Sequence, residues 1–188
     1  MPAPAPAARL SPIMAEQNQN LWAPWRLEYI RALAGKDDAG CFLCRYAEHP
    51  EQDSQNQIIW RGPACLTVFN RFPYNNGHLL IAPLAHKAEM EELDDTALGE
   101  LIRTVRDAKR LLAKTTSAHG FNVGMNFGRC AGAGLPGHLH VHIVPRWDGD
   151  TNFMPVLGST RVISQSIEAL YAEMRAAAAG LGLPPLRG

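Results

Sequence analysis

The sequence predicts an α+β domain, a mostly antiparallel sheet with a long helix and a C-terminal helix packed against it. Three observations lead there. Short β-like stretches separated by Pro, Asn and Gly turns follow one another between residues 58 and 83. The segment Asp94 to Lys114 keeps its apolar residues on one helical face, and residues 138–144 alternate histidine with aliphatic side chains, the period of a strand.

Taken in order, residues 1–20 alternate Pro and Ala and then turn polar, a composition that cannot bury enough apolar surface to offset its ordering entropy. A disordered tail is expected. From Leu21 to Ala34, LWAPWRLEYIRALA suits a short helix: Pro24 is tolerated in a first turn, Leu27, Ile30 and Ala34 recur at helical spacing, and Gly35 is a stop. Its two tryptophans are expected to pack on the body. Strands are expected over Ile58 to Trp60, Ala64 to Asn70 and His78 to Pro83, with RFPYNNG turning the chain between the last two. In the long helix Leu98, Leu101, Ile102, Val105, Ala108 and Leu112 form the apolar face, opposite Arg103, Arg106, Asp107 and Arg110. A further strand in FNVGMNF precedes a glycine-rich loop from Gly128 to Gly137, then a strand from His138 to Val144. The last helix runs from about Ser164 to Ala179 and ends at Gly180. Residues 21–180 are thus expected to form one domain, and 181–188 a flexible C-terminal tail.

Composition narrows the function. Lys plus Arg and Asp plus Glu are 18 each in 188 residues, so the basic surface of a nonspecific nucleic-acid binder is not expected. The apolar run Leu79 to Ala85 is interrupted by Pro83 and far short of the roughly 20 residues that cross a bilayer. The N-terminus lacks a basic start followed by an apolar core, so a cytoplasmic location is expected. In that reducing compartment Cys41, Cys44, Cys65 and Cys130 are expected to be thiols or metal ligands rather than disulfides.

The segment Gly137-His138-Leu139-His140-Val141-His142-Ile143-Val144-Pro145 carries the chemistry. On a strand His138, His140 and His142 share one face while Leu139, Val141 and Ile143 share the other. With 7 histidines in the chain, three at fixed alternate positions arise by chance about once in a hundred such sequences. Before them, GRCAGAGLPG holds four glycines and no acidic group, which suits backbone N–H groups converging on an anion. Alternate histidines suit two chemistries: metal binding through neutral imidazole, or attack by one imidazole on an electrophile such as phosphorus.

Together RFPYNNGHLLIAPLAH, GFNVGMNFG and HLHVHIVPRW resemble the histidine triad (HIT) family of nucleotidyl hydrolases and transferases, over about Leu21 to Tyr171. LWAPWR, the C-x-x-C pair, AGAG before the triad and PRWDGDTNFMP after it resemble its bacterial diadenosine tetraphosphate phosphorylase branch. The resemblance implies a HIT-like fold and a catalytic domain in which His140 is the nucleophile, forming a nucleotidyl-histidine, while His142 hydrogen-bonds phosphate oxygens. It implies ribose contacts from Asn70 and a phosphate contact from Asn126. Gly132, Ala133 and Gly134 would cradle phosphate, and Trp147 would close over a base or phosphate chain. His78 stands where it can support the triad by packing or hydrogen bonding. The loop lacks the Gln, Ser or Thr that triad hydrolases often carry just before the triad, which favours inorganic phosphate over water as acceptor. Phosphorolysis of diadenosine tetraphosphate to ATP and ADP is therefore expected. Hydrolysis of dinucleoside polyphosphates or nucleoside phosphoramidates, or nonenzymatic nucleotide binding, are the alternatives.

A C-x-x-C pair with two histidines has the ligand set of a closed structural zinc site. Some bacterial triad proteins resemble this arrangement, which implies zinc held by Cys41, Cys44, His86 and the first triad histidine, His138. No organic cofactor is expected, and the resemblance implies a homo-oligomer.

Overall fold

The computed structural model describes residues 40–150 and 163–182. The helix expected over Leu21 to Ala34, the tail 1–20 and residues 183–188 lie outside the described residues. Five strands form one sheet: β1 (Ile58–Arg61), β2 (Cys65–Phe69), β3 (Leu79–Pro83), β4 (Gly120–Met125) and β5 (Val141–Arg146). Their order is β1-β2-β3-β5-β4, and every neighbouring pair is antiparallel. Among the described residues three α-helices accompany it: α1 (Phe42–Glu48), α2 (Asp95–Thr116) and α3 (Ile167–Gly180).

One face of the sheet carries the main core, in which Ile81, Val141 and Ile143 meet Leu101, Leu111 and Leu112 of α2 and Leu170 and Met174 of α3. Both helices begin on a side-chain cap. Asp94 accepts from Ala97 N–H at 2.8 Å, and Ser166 accepts from Ala169 N–H at 3.2 Å, so α3 starts at Ile167 and not at Ser164. Ile102, expected in the α2 stripe, is 52% exposed. The buried positions are 101, 104, 108, 111 and 112, and residue 102 lies about 100° round the helix from residue 101. Thr104 fills the place in the stripe.

On the other face, Leu43 and Tyr46 of α1 cover Ile58, Leu66, Val68, Leu80 and Ala82. Helix α1 is absent from the sequence-based expectation because a seven-residue helix has too few turns to show a periodic face. Its C-terminal end is held by Arg61. The guanidinium donates to Asp53 through Nε at 2.8 and 3.0 Å, to the Ala47 carbonyl at 3.2 Å and to the Tyr46 carbonyl. Arg61 and Asp53 are both largely buried, so removing one charge strands the other away from water. Arg61→Met is expected to lower unfolding free energy by about 3–5 kcal/mol in urea titrations, and a loss below about 1 kcal/mol would show the pair to be solvated.

The strand expected from His138 begins only at Val141. β3 ends at Pro83, which has no N–H to continue the ladder. The chain before β5 bonds elsewhere instead: Leu139 N–H donates to the Lys87 carbonyl at 2.6 Å. The alternation nevertheless persists, since Leu139, Val141 and Ile143 all enter the main core. β4 likewise stops at Met125, short of Asn126 and Phe127.

Candidate active site

Two turns bring four histidines onto the face of the sheet opposite the main core. In the first, RFPYNNG between β2 and β3, Gly77 has φ +75°, and a Cβ there would lie 3.1 Å from Leu112 Cδ2 and 3.2 Å from Pro145 Cγ. Only glycine fits that backbone without displacing the helix. The next residue, His78, is fully buried and shares its face with Leu80, the residue paired with His142 on β5. His78 Nε2 and His142 Nδ1 are 3.0 Å apart.

Hydrogen bonds assign the tautomers. Tyr74 N–H donates to His78 Nδ1 at 3.0 Å, so that nitrogen is an acceptor and Nε2 carries the proton. His78 Nε2–H therefore donates to His142 Nδ1, which places the proton of neutral His142 on Nε2. His140 is opposite: its Nδ1 lies 2.8 Å from the His138 carbonyl, an acceptor only, so Nδ1 is protonated and Nε2 holds the lone pair. Burial pushes His140 below its ordinary value of 6.5, against a weaker upward pull from the bond to the His138 carbonyl. The His140 and His142 rings meet edge to face at 4.9 Å. A neutral imidazole with a lone pair thus stands beside an imidazole with an N–H donor, the pairing that attack at an electrophile and stabilisation of its oxygens require.

Asn70, at the end of β2, belongs to the same cluster: Oδ1 accepts from Phe72 N–H at 2.9 Å and Nδ2 lies 3.3 Å from His78 Nδ1. The β4–β5 register pairs Gly124 with His142 and Met125 with Val141, and half-buried Asn126 follows one position beyond the last of these pairs. In the loop, Gly128 and Gly132 take φ +75° and +89° around a 3₁₀ turn, Arg129–Ala131. Gly132 N–H donates to the Arg129 carbonyl and Ala133 N–H to the Gly128 carbonyl, so two of the three amides expected to cradle phosphate are spent inside the loop. Trp147 is not brought to the triad. It follows the far end of β5, and its indole N–H donates to the Thr116 carbonyl at the end of α2. Arg146 forks onto Asp150 at 2.6 and 2.8 Å and reaches Asn122 at 3.0 Å.

The expected metal ligands do come together. Donor atoms of Cys41, Cys44, His86 and His138 all lie within 4.8 Å of one another. His138 Nδ1 is 3.1 Å from Cys41 Sγ and 3.5 Å from Cys44 Sγ, and His86 Nδ1 is 3.1 Å from Cys44 Sγ. Tetrahedral bonds of about 2.0 and 2.3 Å place N and S ligands about 3.5 Å apart. His138 Nε2 lies 2.9 Å from the Pro83 carbonyl, which fixes the proton there and turns the Nδ1 lone pair to the thiols, the outer-sphere bond that metal-binding histidines make. Burial, with the neighbouring Cys41 thiol, pushes Cys44 up to about 11, and a bound cation would reverse that by favouring the thiolate. The donor set fits a metal ion. Cys65, pushed up to about 12 by burial, is an inert core thiol, and Cys130 is exposed.

Sequence reasoning singled out the triad, Asn70, Asn126 and the cysteine pair as candidates but not Tyr74 or the carbonyls of Pro83 and His138. Backbone acceptors leave no mark on residue identity, whereas Tyr74, lying between RFP and NNGH, was visible as an aromatic in a turn.

Comparison with known proteins identifies the family. Residues 51–149 match the HIT domain. The chain is 38% identical over 154 residues to an AP-4-A phosphorylase of Mycobacterium tuberculosis, covering 80% of this chain and 79% of that protein. It is 32% identical over 95 residues, 50% of this chain and 52% of the other, to the asymmetrical bis(5'-nucleosyl)-tetraphosphatase of Schizosaccharomyces pombe. A Zn-bound histidine triad family protein from Mycobacterium smegmatis shares the fold with a TM-score of 0.61 at 22% identity, covering 76% of this chain and 96% of its own. With its five-stranded antiparallel sheet, its three histidines on one face of the β5 segment and this match across more than half its length, the chain belongs to the HIT family.

Proposed function

We propose that the protein cleaves diadenosine tetraphosphate by phosphorolysis, giving ATP and ADP through an adenylyl-His140 intermediate. The observation that carries this reading is the pair of opposite tautomers at His140 and His142. His140 Nε2 attacks the phosphorus of a terminal nucleotide, the bond to the bridging oxygen breaks, and ATP leaves with the electron pair. Charge grows on the nonbridging oxygens, where His142 Nε2–H and the Asn126 amide donate hydrogen bonds. The leaving polyphosphate is a weak base and needs no full proton transfer. An oxygen of inorganic phosphate then attacks the adenylyl group, ADP departs and His140 recovers its lone pair. Asn70 is assigned to the ribose hydroxyls. Since Gly132 and Ala133 N–H are engaged within the loop, its contribution to phosphate falls to Gly134 and to the space that small residues leave.

Similarity to the mycobacterial phosphorylase over four-fifths of the chain supports phosphate as acceptor. Similarity to the yeast tetraphosphatase over half the chain supports water, the second reading. Anion-exchange analysis after incubation with diadenosine tetraphosphate separates them: ATP plus ADP formed only with phosphate is expected, and ATP plus AMP regardless of phosphate would replace phosphorolysis by hydrolysis.

Zinc is the metal we assign to Cys41, Cys44, His86 and His138, supported by the sulfur and imidazole donor set and by the zinc in the mycobacterial structure. Bound there, it would supply crosslinking and orientation, not chemistry at phosphorus. A cytoplasmic location suits thiols kept reduced. A homo-oligomer is supported by β4, an edge strand with Val123 half exposed. Among the described residues no helix is long and apolar enough to cross a membrane.

The buried nucleophile sets a pH dependence. Neutral imidazole is the reactive form, and burial holds His140 below 6.5, so the acid limb of intermediate formation is expected below pH 6.5. Stability follows the same sign. As pH falls from 6.5 to the folded value, the unfolded chain takes up a proton that the folded His140 refuses, and stability drops across that window. Single-turnover rates and urea titrations between pH 5 and 8 test both, and a rate already halved at pH 7 would contradict the assignment.

A further inference from the structure

Beyond the histidines, Tyr74 touches both members of the pair that orients the phosphate donor. Its ring lies 4.6 Å from the His78 ring at 39° and 5.8 Å from the His142 ring at 17°, nearly parallel to the latter. Its peptide N–H is the group that makes His78 Nδ1 an acceptor. The turn that presents it is anchored on both sides by asparagine side chains. Asn70 Oδ1 holds Phe72 N–H at 2.9 Å, and Asn75 Nδ2 holds the Pro145 carbonyl at 3.2 Å and Asp150 at 2.9 Å. The main chain of Tyr74 is therefore held by its neighbours, and its ring lies against both imidazoles.

That contact meets a physical need. The χ2 torsion of histidine is broad and roughly two-fold, so a hydrogen bond at one nitrogen leaves the ring plane free to tilt, and a half-turn replaces nitrogen by carbon at both bonded positions. A flat aromatic face against His78 and His142 removes that freedom while the hydrogen bonds choose the tautomer.

We propose that Tyr74 is a positioning residue: its peptide N–H and the face of its ring together hold His78 and His142 so that His142 Nε2–H points at the phosphate oxygens. The inference rests on the nucleotidyl-transfer reading for its effect on rate, but not for its effect on the imidazoles. The ring, and not the hydroxyl, is the operative group. With ¹⁵N-histidine protein at neutral pH, long-range ¹H–¹⁵N spectra of the wild type and Tyr74→Phe should show His142 as a single tautomer protonated at Nε2. Tyr74→Leu and Tyr74→Met, two fillers of comparable bulk, should show His142 averaged between tautomers. Their kcat should fall about tenfold to hundredfold, the loss of one aligned charge-stabilising donor, with KM changed far less. A single Nε2–H tautomer and wild-type kcat in either folded aliphatic variant would overturn the proposal, as would loss of the tautomer in Tyr74→Phe. Should the wild type form no adenylyl-histidine, the reaction assignment fails alone, because the spectra still decide what Tyr74 holds.

Discussion

His140→Ala is expected to abolish adenylyl-enzyme formation and to lower turnover of diadenosine tetraphosphate by about 10⁴-fold or more, the scale on which removal of a covalent nucleophile acts. His140 Nε2 carries the lone pair that the triad itself prepares, because Nδ1–H donates to the His138 carbonyl, 2.8 Å away, and burial disfavours the charged ring. His142→Ala removes a donor and no bond to phosphorus, so the intermediate should still form, about 10²- to 10³-fold more slowly. Intact-protein mass spectrometry after rapid quench distinguishes the two, since only the first variant should never gain the mass of an adenylyl group. Full activity in His140→Ala would place the nucleophile elsewhere.

Removing the metal is expected to act on stability and leave the chemistry standing. At a thousand times its dissociation constant, zinc that binds only the folded chain stabilises it by about 4 kcal/mol. For a chain of this length that corresponds to a melting temperature about 8–16 °C higher. Chelation, or Cys44→Ser, should lower Tm by that amount, while freshly stripped, still-folded protein should continue to form the intermediate. The expected coupling is confined to geometry: His138 offers its ring to the candidate metal site and its carbonyl to His140, so a bound metal would steady the proposed nucleophile through the main chain. Instant loss of the intermediate on chelation, with Tm unchanged, would instead put the metal at the phosphorus.

Most of the architecture was legible because its signals are periodic. The three strands of the first meander and helix α2 follow directly from alternation, turn residues and one apolar stripe. Ile102 escaped because a hydrophobic residue one step from a stripe reads the same as one within it until the helix is docked, and Thr104, polar by composition, was buried in its place. The early start assumed for the histidine strand missed Pro83 as the element that ends the ladder, a constraint imposed across the sheet and not along it. In the candidate site, residues whose side chains do chemistry stood out in sequence, and those that act through peptide groups did not. The Tyr74 N–H and the carbonyls of His138 and Pro83 assign the proton on His78, His140 and His138 respectively, and any residue type can offer the same groups.

Alternation along residues 138–143 also has a consequence for how the molecule can change over evolutionary time. Each imidazole is followed by an aliphatic residue locked in the main core, so sliding this segment by one position would exchange pocket and core at every site at once. Its reading frame is frozen. The loop from Gly128 to Gly137 has no such parity to keep, and a residue gained or lost there can be absorbed as a wider or narrower arch above a catalytic strand that has not moved. Lineages of this family are therefore free to change the length of that loop by insertion and deletion, a route that the histidine segment itself leaves closed.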